Sequence, residues 1–274
     1  MVKKQKLKTI TQSEKTLTLA GVALTILAVI SSIYYWYINQ RFVHDVFPSL
    51  IYYLNYVIIM GGGFAVGYLL ARKAPRANKL FAGSLYALLT MAIYTLTFAL
   101  NFLINNLFGT IPYPWGRILF EGAPLLALVV AIIIGLLLRR RHSNVVPDTA
   151  SKRTFIGVFL VAQLYNAANI FYWTYIAPGG EPSQVPLYLT IASYILNPLV
   201  IIVIGYLLFN RVKSKTDRLL YAVFISAFSE TLIYSLWNFR TDASADATNV
   251  FSMFVAVIAL IAVGLLLLKV RRKS

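Results

Sequence analysis

Glu230 is the acidic residue that lies deepest inside an apolar run of this chain, the run covering 219–239. It stands twelve residues from Arg218 and ten from Arg240. At ~1.5 Å of rise per residue, it falls near the middle of a membrane-crossing helix. A carboxylate at that depth costs roughly 3 kcal/mol or more to insert. No Lys or Arg occupies a matching depth in any other apolar run, so the chain offers it no ion pair there. Glu230 is therefore expected to be neutral, solvated by a cavity, or paired with a bound cation.

Amides fall at the same depth. Gln163 and Asn166 are three residues apart on one helical face, with Asn169 at its edge. Asn197, counted from the opposite side, also reaches the middle. An acid among three or four amides is a polar pocket for a proton, a cation or a small polar solute. The same amides could serve only to bond helix to helix.

Two helix disturbances accompany this set. Gly61, Gly62 and Gly63 interrupt one apolar run, and Asn197-Pro198 interrupts another at the corresponding place. Triple glycine lowers helix stiffness and permits close approach, while proline removes a backbone donor. They read as a pair of hinges that free backbone groups for a ligand, or as tight packing beside an ordinary kink. Gly63 and Gly67 have the GxxxG spacing of a helix-contact face.

The elements that must hold these residues are long apolar runs. Eight of them, at 17–38, 48–71, 80–103, 118–138, 154–176, 186–209, 219–239 and 250–268, are long enough to span a bilayer. With 59% hydrophobic and 12% charged residues, little chain is left for a soluble domain. The expected fold is all-α and polytopic: eight transmembrane helices as two tandem parallel four-helix repeats. The repeats cover 1–138 and 154–274, joined by a charged cytoplasmic linker at 139–153. Ile33-Tyr34-Tyr35-Trp36 returns as Ile170-Phe171-Tyr172-Trp173, and Gly67-Tyr68-Leu69-Leu70 as Gly205-Tyr206-Leu207-Leu208. Phe98–Phe102 is echoed by Ser235–Phe239, and Gly135-Leu136-Leu137-Leu138 by Gly264-Leu265-Leu266-Leu267, in the same order. An even number of helices per copy makes the copies parallel rather than inverted.

Charge sets the orientation. The N-terminal tail, the second, fourth and sixth loops and the C-terminal tail hold 22 of the Lys and Arg residues; the other loops hold 3. The positive-inside rule then puts both termini in the cytoplasm, with the protein in the plasma (cytoplasmic) membrane. Trp36, Trp115, Trp173 and Trp237 fall on the opposite side, where an aromatic belt would lie. The net charge of +16 follows from this placement and does not call for a nucleic-acid partner. The expected partners are the bilayer and a small solute or cation.

Several chemistries are not encoded. The two histidines, His44 and His142, lie in loops on opposite sides, and there is no cysteine. No aspartate lies within an apolar run, and there is no P-loop or dinucleotide fingerprint in context. No catalytic set, metal site or cofactor is therefore expected, because one acid without a histidine or second carboxylate is a poor catalyst. The reading is a secondary transporter or permease in which Glu230 binds the ion, Gln163, Asn166 and Asn197 line its pocket, and Gly61, Gly62, Gly63 and Pro198 form the hinges. The alternative is a non-catalytic membrane subunit or scaffold.

Overall fold

The computed structural model describes residues 12–39, 54–108, 115–141, 149–175, 197–210, 212 and 214–238. Among the described residues the fold is all-α, with no strand. Helix α1 is Gln12–Asn39. Helix α2 begins as a π-helical turn, Val57–Gly62, and continues as the α-helix Gly63–Leu70. Then come α3 (Arg76–Phe108), α4 (Trp115–Arg141), α5 (Thr149–Tyr175), α6 (Asn197–Leu208) and α7 (Lys215–Asn238). The expected eighth span, 250–268, lies outside the described residues, as do 48–53 and 186–196. Two helical segments, Leu17–Tyr34 and Arg76–Thr97, are long and apolar enough to cross a membrane; the apolar stretches Val57–Leu70 and Gly122–Leu138 are shorter. Helix α4 runs to Arg141 and α5 starts at Thr149, so Lys152 and Arg153, at the end of the expected linker, belong to α5.

The odd-numbered helices form a ring: α1 against α3, α3 against α5, α5 against α7, and α7 against α1. Helix α2 packs on α3, α6 packs on α7, and α4 packs on α3 and α2. The odd helices run parallel, because residues near their starts meet one another. Ser84 Oγ of α3 donates to the carbonyl of Thr18 in α1 at 3.3 Å, and Lys152 of α5 pairs with Glu14 of α1 and Asp217 of α7.

The sequence builds this ring by repeating one register. Each odd helix places a polar residue near its start: Glu14, Asn78, Lys152 and Asp217. Three residues on comes a buried apolar side chain, Leu17, Phe81, Phe155 and Leu220; seven on, Gly21, Leu85, Phe159 and Phe224, also buried. Steps of three and four return to the same helix face, so the ring interior stacks in layers. Gly21 is small because three helices meet there: a Cβ on it would lie 2.5 Å from Ser84 Cβ and 3.1 Å from Phe224 Cζ.

The outer helices attach through backbone contact. A Cβ on Gly63 would sit 2.5 Å from Thr90 Oγ1 and 2.9 Å from the Tyr86 carbonyl, and one on Gly67 would overlap the Ala82 carbonyl. The GxxxG face of α2 therefore lies on α3, as small residues permit. On the other side of the bundle, a Cβ on Gly205 would lie 3.0 Å from Ala222 Cα, joining α6 to α7. The tyrosine after each of these glycines also repeats its contact. Lys79 Nζ lies 5.7 Å from the Tyr68 ring centre, and the Arg218 guanidinium 4.1 Å from that of Tyr206.

This arrangement predicts opposite outcomes for two glycine substitutions. Gly67→Ala forces a methyl against the α3 backbone and should cost about 1–3 kcal/mol. A Cβ on Gly122 of α4 meets nothing within 4 Å, so Gly122→Ala should be neutral or stabilise by up to ~1 kcal/mol. Thermal melts of both variants in one detergent check the difference; equal melting points would refute the close α2–α3 approach.

Candidate functional site

The start of α7 is fixed by a local cap. Ser214 accepts the first helical hydrogen bond on its carbonyl, from Arg218 N–H at 3.0 Å, and its Oγ accepts from Asp217 N–H at 3.3 Å. This is the backbone half of a capping box, and it holds Asp217 in the first turn. Glu14 lies in the first turn of α1. Both acids therefore stand where the positive end of a helix dipole favours them. Lys152 stands in the first turn of α5, where that dipole opposes a cation, so its charge needs other partners.

The partners are the two acids. Lys152 Nζ donates to Asp217 Oδ1 at 2.6 Å and to Glu14 Oε1 at 3.1 Å. The Lys152 and Glu14 side chains are each 8% exposed, while that of Asp217 is 24% exposed. Burial of the amine works against its charge. The hydrogen bond to Asp217 and the charges of Glu14 and Asp217 outweigh that loss and raise the Lys152 pKa above the ordinary lysine value. The result is a buried ion triad tying α1, from the first half of the chain, to α5 and α7 from the second. Its members precede the expected spans at 17, 154 and 219 by two or three residues, so they sit at the charged end of the bundle.

Directly beneath the triad lie Leu17, Phe81, Phe155 and Leu220, then Leu85, Phe159 and Phe224, all in one apolar core. Beside it, Arg218 donates from Nη2 to the Tyr206 carbonyl at 3.1 Å while stacking on the ring of the same tyrosine. That fixes the α6–α7 corner next to Asp217. This end of the ring is closed first by charge and then by packed apolar side chains.

The residues singled out from the sequence are distributed as follows. Gln163 lies on α5 and is half-buried. Asn166 is on α5, Asn197 and Pro198 open α6, and Glu230 is on α7, but their side chains lie outside the described residues, as does that of Asn169. Helix α7 packs on both α5 and α6, so the three helices that carry the expected site are neighbours. Gly61 and Gly62 end the π-helical turn of α2, and Gly63 starts the α-helix after it. Asn55, just before that turn, is buried, and its Oδ1 accepts from Tyr56 N–H at 2.7 Å.

Glu14, Lys152 and Asp217 were not distinguishable from the other terminal charges by composition or position. One signal was present: each precedes a buried apolar residue by three and another small or apolar residue by seven, the register of an inward face. The chain matches no known family model, no curated protein and no solved structure.

Removing the central cation should be costly. Lys152→Met leaves two carboxylates facing each other in a largely buried site, an expected loss of about 3–5 kcal/mol. Because the amine pKa is raised by folding, its contribution is complete below the ordinary lysine value of 10.5 and lost as pH rises through the raised one. Wild-type melting temperature should therefore fall on the alkaline limb more steeply than that of Lys152→Met. Parallel limbs in pH-resolved melts would show that the triad does not hold the fold.

Proposed function

We propose that this chain is a plasma-membrane protein of eight transmembrane helices in two tandem parallel four-helix repeats, with both termini cytoplasmic. In this reading it is a secondary transporter or permease for a proton, a cation or a small polar solute. Glu230 is the ion site, Gln163, Asn166 and Asn197 line its pocket, and Gly61–Gly63 and Pro198 are the paired helix breaks.

Support for the membrane comes from an inside-out distribution of side chains. Helix α1 buries Glu14, Thr18, Thr25, Ser31 and Ser32 while exposing Leu19, Ile26, Ile30 and Ile33 along one face. Helix α4 exposes Leu125, Leu126, Val129, Ile133, Leu136 and Leu137 in the same manner. Water penalises a continuous apolar face of that size, and acyl chains do not. Support for the repeat comes from the contacts. Exchanging α1 with α5, α2 with α6 and α3 with α7 reproduces the ring, both outer attachments and both tyrosine–cation pairs.

The observation that carries the transport reading is a shared level. Lys152 and Asp217 touch, and α5 and α7 run parallel from them. Asn166 is fourteen residues beyond the one and Glu230 thirteen beyond the other, about 20 Å along both helices. Gly205 lies against Ala222 on the antiparallel pair α6 and α7. Eight residues back from Gly205 is Asn197, and eight on from Ala222 is Glu230, about 12 Å in each case. An acid and two amides on three adjacent helices thus share one level. In the first half, Gly63 meets Thr90 twelve residues beyond Asn78, which brings the end of the π-helical turn to a similar height. Such turns concentrate at functional sites.

The test is uptake into proteoliposomes. Glu230→Gln should give a folded protein, with wild-type elution and melting, that has lost pH- or cation-dependent uptake. A folded variant with unchanged flux would remove the transport mechanism. A variant altered only in stability or oligomeric state would favour a structural subunit.

A further inference from the structure

The geometry points to the Glu14–Lys152–Asp217 triad as a charge latch between the two halves of the chain, one that holds the charged end of the ring shut and opens as a unit. The inference rests on the transport reading for its purpose, since a transporter must close one side of its site while the other is open.

Three observations carry it. First, the latch joins the halves at corresponding places. Glu14 and Lys152 each precede the first buried core residue of their half by three, yet they carry opposite charges. Like charges at both places would repel across the ring; opposite charges attract. The correspondence is broken where attraction between halves is required, and again at Asn78 and Asp217, where the second half supplies the further acid. Second, the bond is strong but replaceable. Desolvation of the three charges offsets much of their attraction, so the contact holds only while its geometry is good. Asp217, at 24% exposure, keeps an approach from solvent. Third, the layers beneath are shared between helices, not built within one. Phe81, Phe155 and Phe224 come from three different helices of the ring, and small residues at Gly21 and Ser84 let α1 lie on α3 and α7.

The chain has no native cysteine, so a single introduced thiol reports opening directly. Thr25 is buried on the same face of α1 as Glu14, eleven residues deeper, about 16 Å from the latch. In a Thr25→Cys background, a membrane-impermeant maleimide supplied at the Lys152 end should label slowly. Adding Lys152→Met should raise the labelling rate about tenfold or more, whereas Lys152→Arg, which keeps the charge, should stay within about twofold. Ala131→Cys, fully buried in α4, which is not one of the ring helices, should remain unlabelled in all of these backgrounds. Equal labelling of Thr25→Cys with and without Lys152→Met would overturn the latch. So would opening by Lys152→Arg as large as by Lys152→Met, or labelling of Ala131→Cys, which would mean a loosened bundle. If Lys152→Met does not fold, Asp217→Asn, which keeps the Glu14 pair, should give a smaller increase; no increase would again overturn it. Labelling requires no flux, so a failed latch and a failed Glu230 mechanism give separate results.

Discussion

The amine of Lys152 is the point at which the two halves of this molecule are held in register. Taking an ammonium and two carboxylates out of water costs several kcal/mol per ion, and the mutual attraction offsets this only with good geometry. Here the geometry is good: two acceptors at 2.6 and 3.1 Å from one nitrogen, each on a different helix. An apolar substitute could fill the space but could not select the register. Hydrophobic contact is non-directional, and sliding α5 by a residue against α1 would still bury apolar surface. The ion triad removes that freedom. The Phe and Leu layers below it, the Ser84–Thr18 hydrogen bond and the Gly21 junction all follow from having α1, α5 and α7 start at one level.

The second constraint is the solvent. Beside its Phe and Leu layers the bundle also buries small and polar side chains, while α1 and α4 leave a face of large aliphatic ones outside. In α1 the hydroxyls of Thr18, Thr25 and Ser31 turn back onto carbonyls three or four residues earlier, at 2.7 to 2.9 Å. In α3 Thr90 does the same to Tyr86 at 2.8 Å. A hydroxyl satisfied by its own helix can face a neighbour without needing a partner there, so helices approach closely where these residues meet glycine. Small-residue contacts and a few polar bonds thus add to the buried apolar layers in ordering the interior. The aliphatic face is left for the surroundings.

The all-α character was legible in the sequence because apolar runs are long, and the described helices fall on seven of the eight expected runs. The tandem motifs were legible for a related reason: Gly67-Tyr68 and Gly205-Tyr206 repeat a contact, not only a composition, and each glycine lies on the next helix. The GxxxG face of α2 could be read from spacing. The candidate site was legible only as a set of depths. Residue counting put Asn166, Asn197 and Glu230 at mid-height, but which helices adjoin cannot be counted. The π-helical turn before Gly63 was also not readable, since three glycines permit several backbone forms and the sequence does not select one.

Sequence by itself determined what each segment is: long apolar helices, basic residues gathered into alternate loops, and an acid deep inside one apolar run. Those properties depend on composition, period and distance along one chain, which are local. The tertiary structure alone decided which charges are inside. Glu14, Lys152 and Asp217 sit among many terminal charges, and along the chain only their register, three and seven residues before inward-facing positions, sets them apart. They become a site only where the ring brings three helix starts together. Residues 138 and 65 positions apart in sequence then share one proton donor.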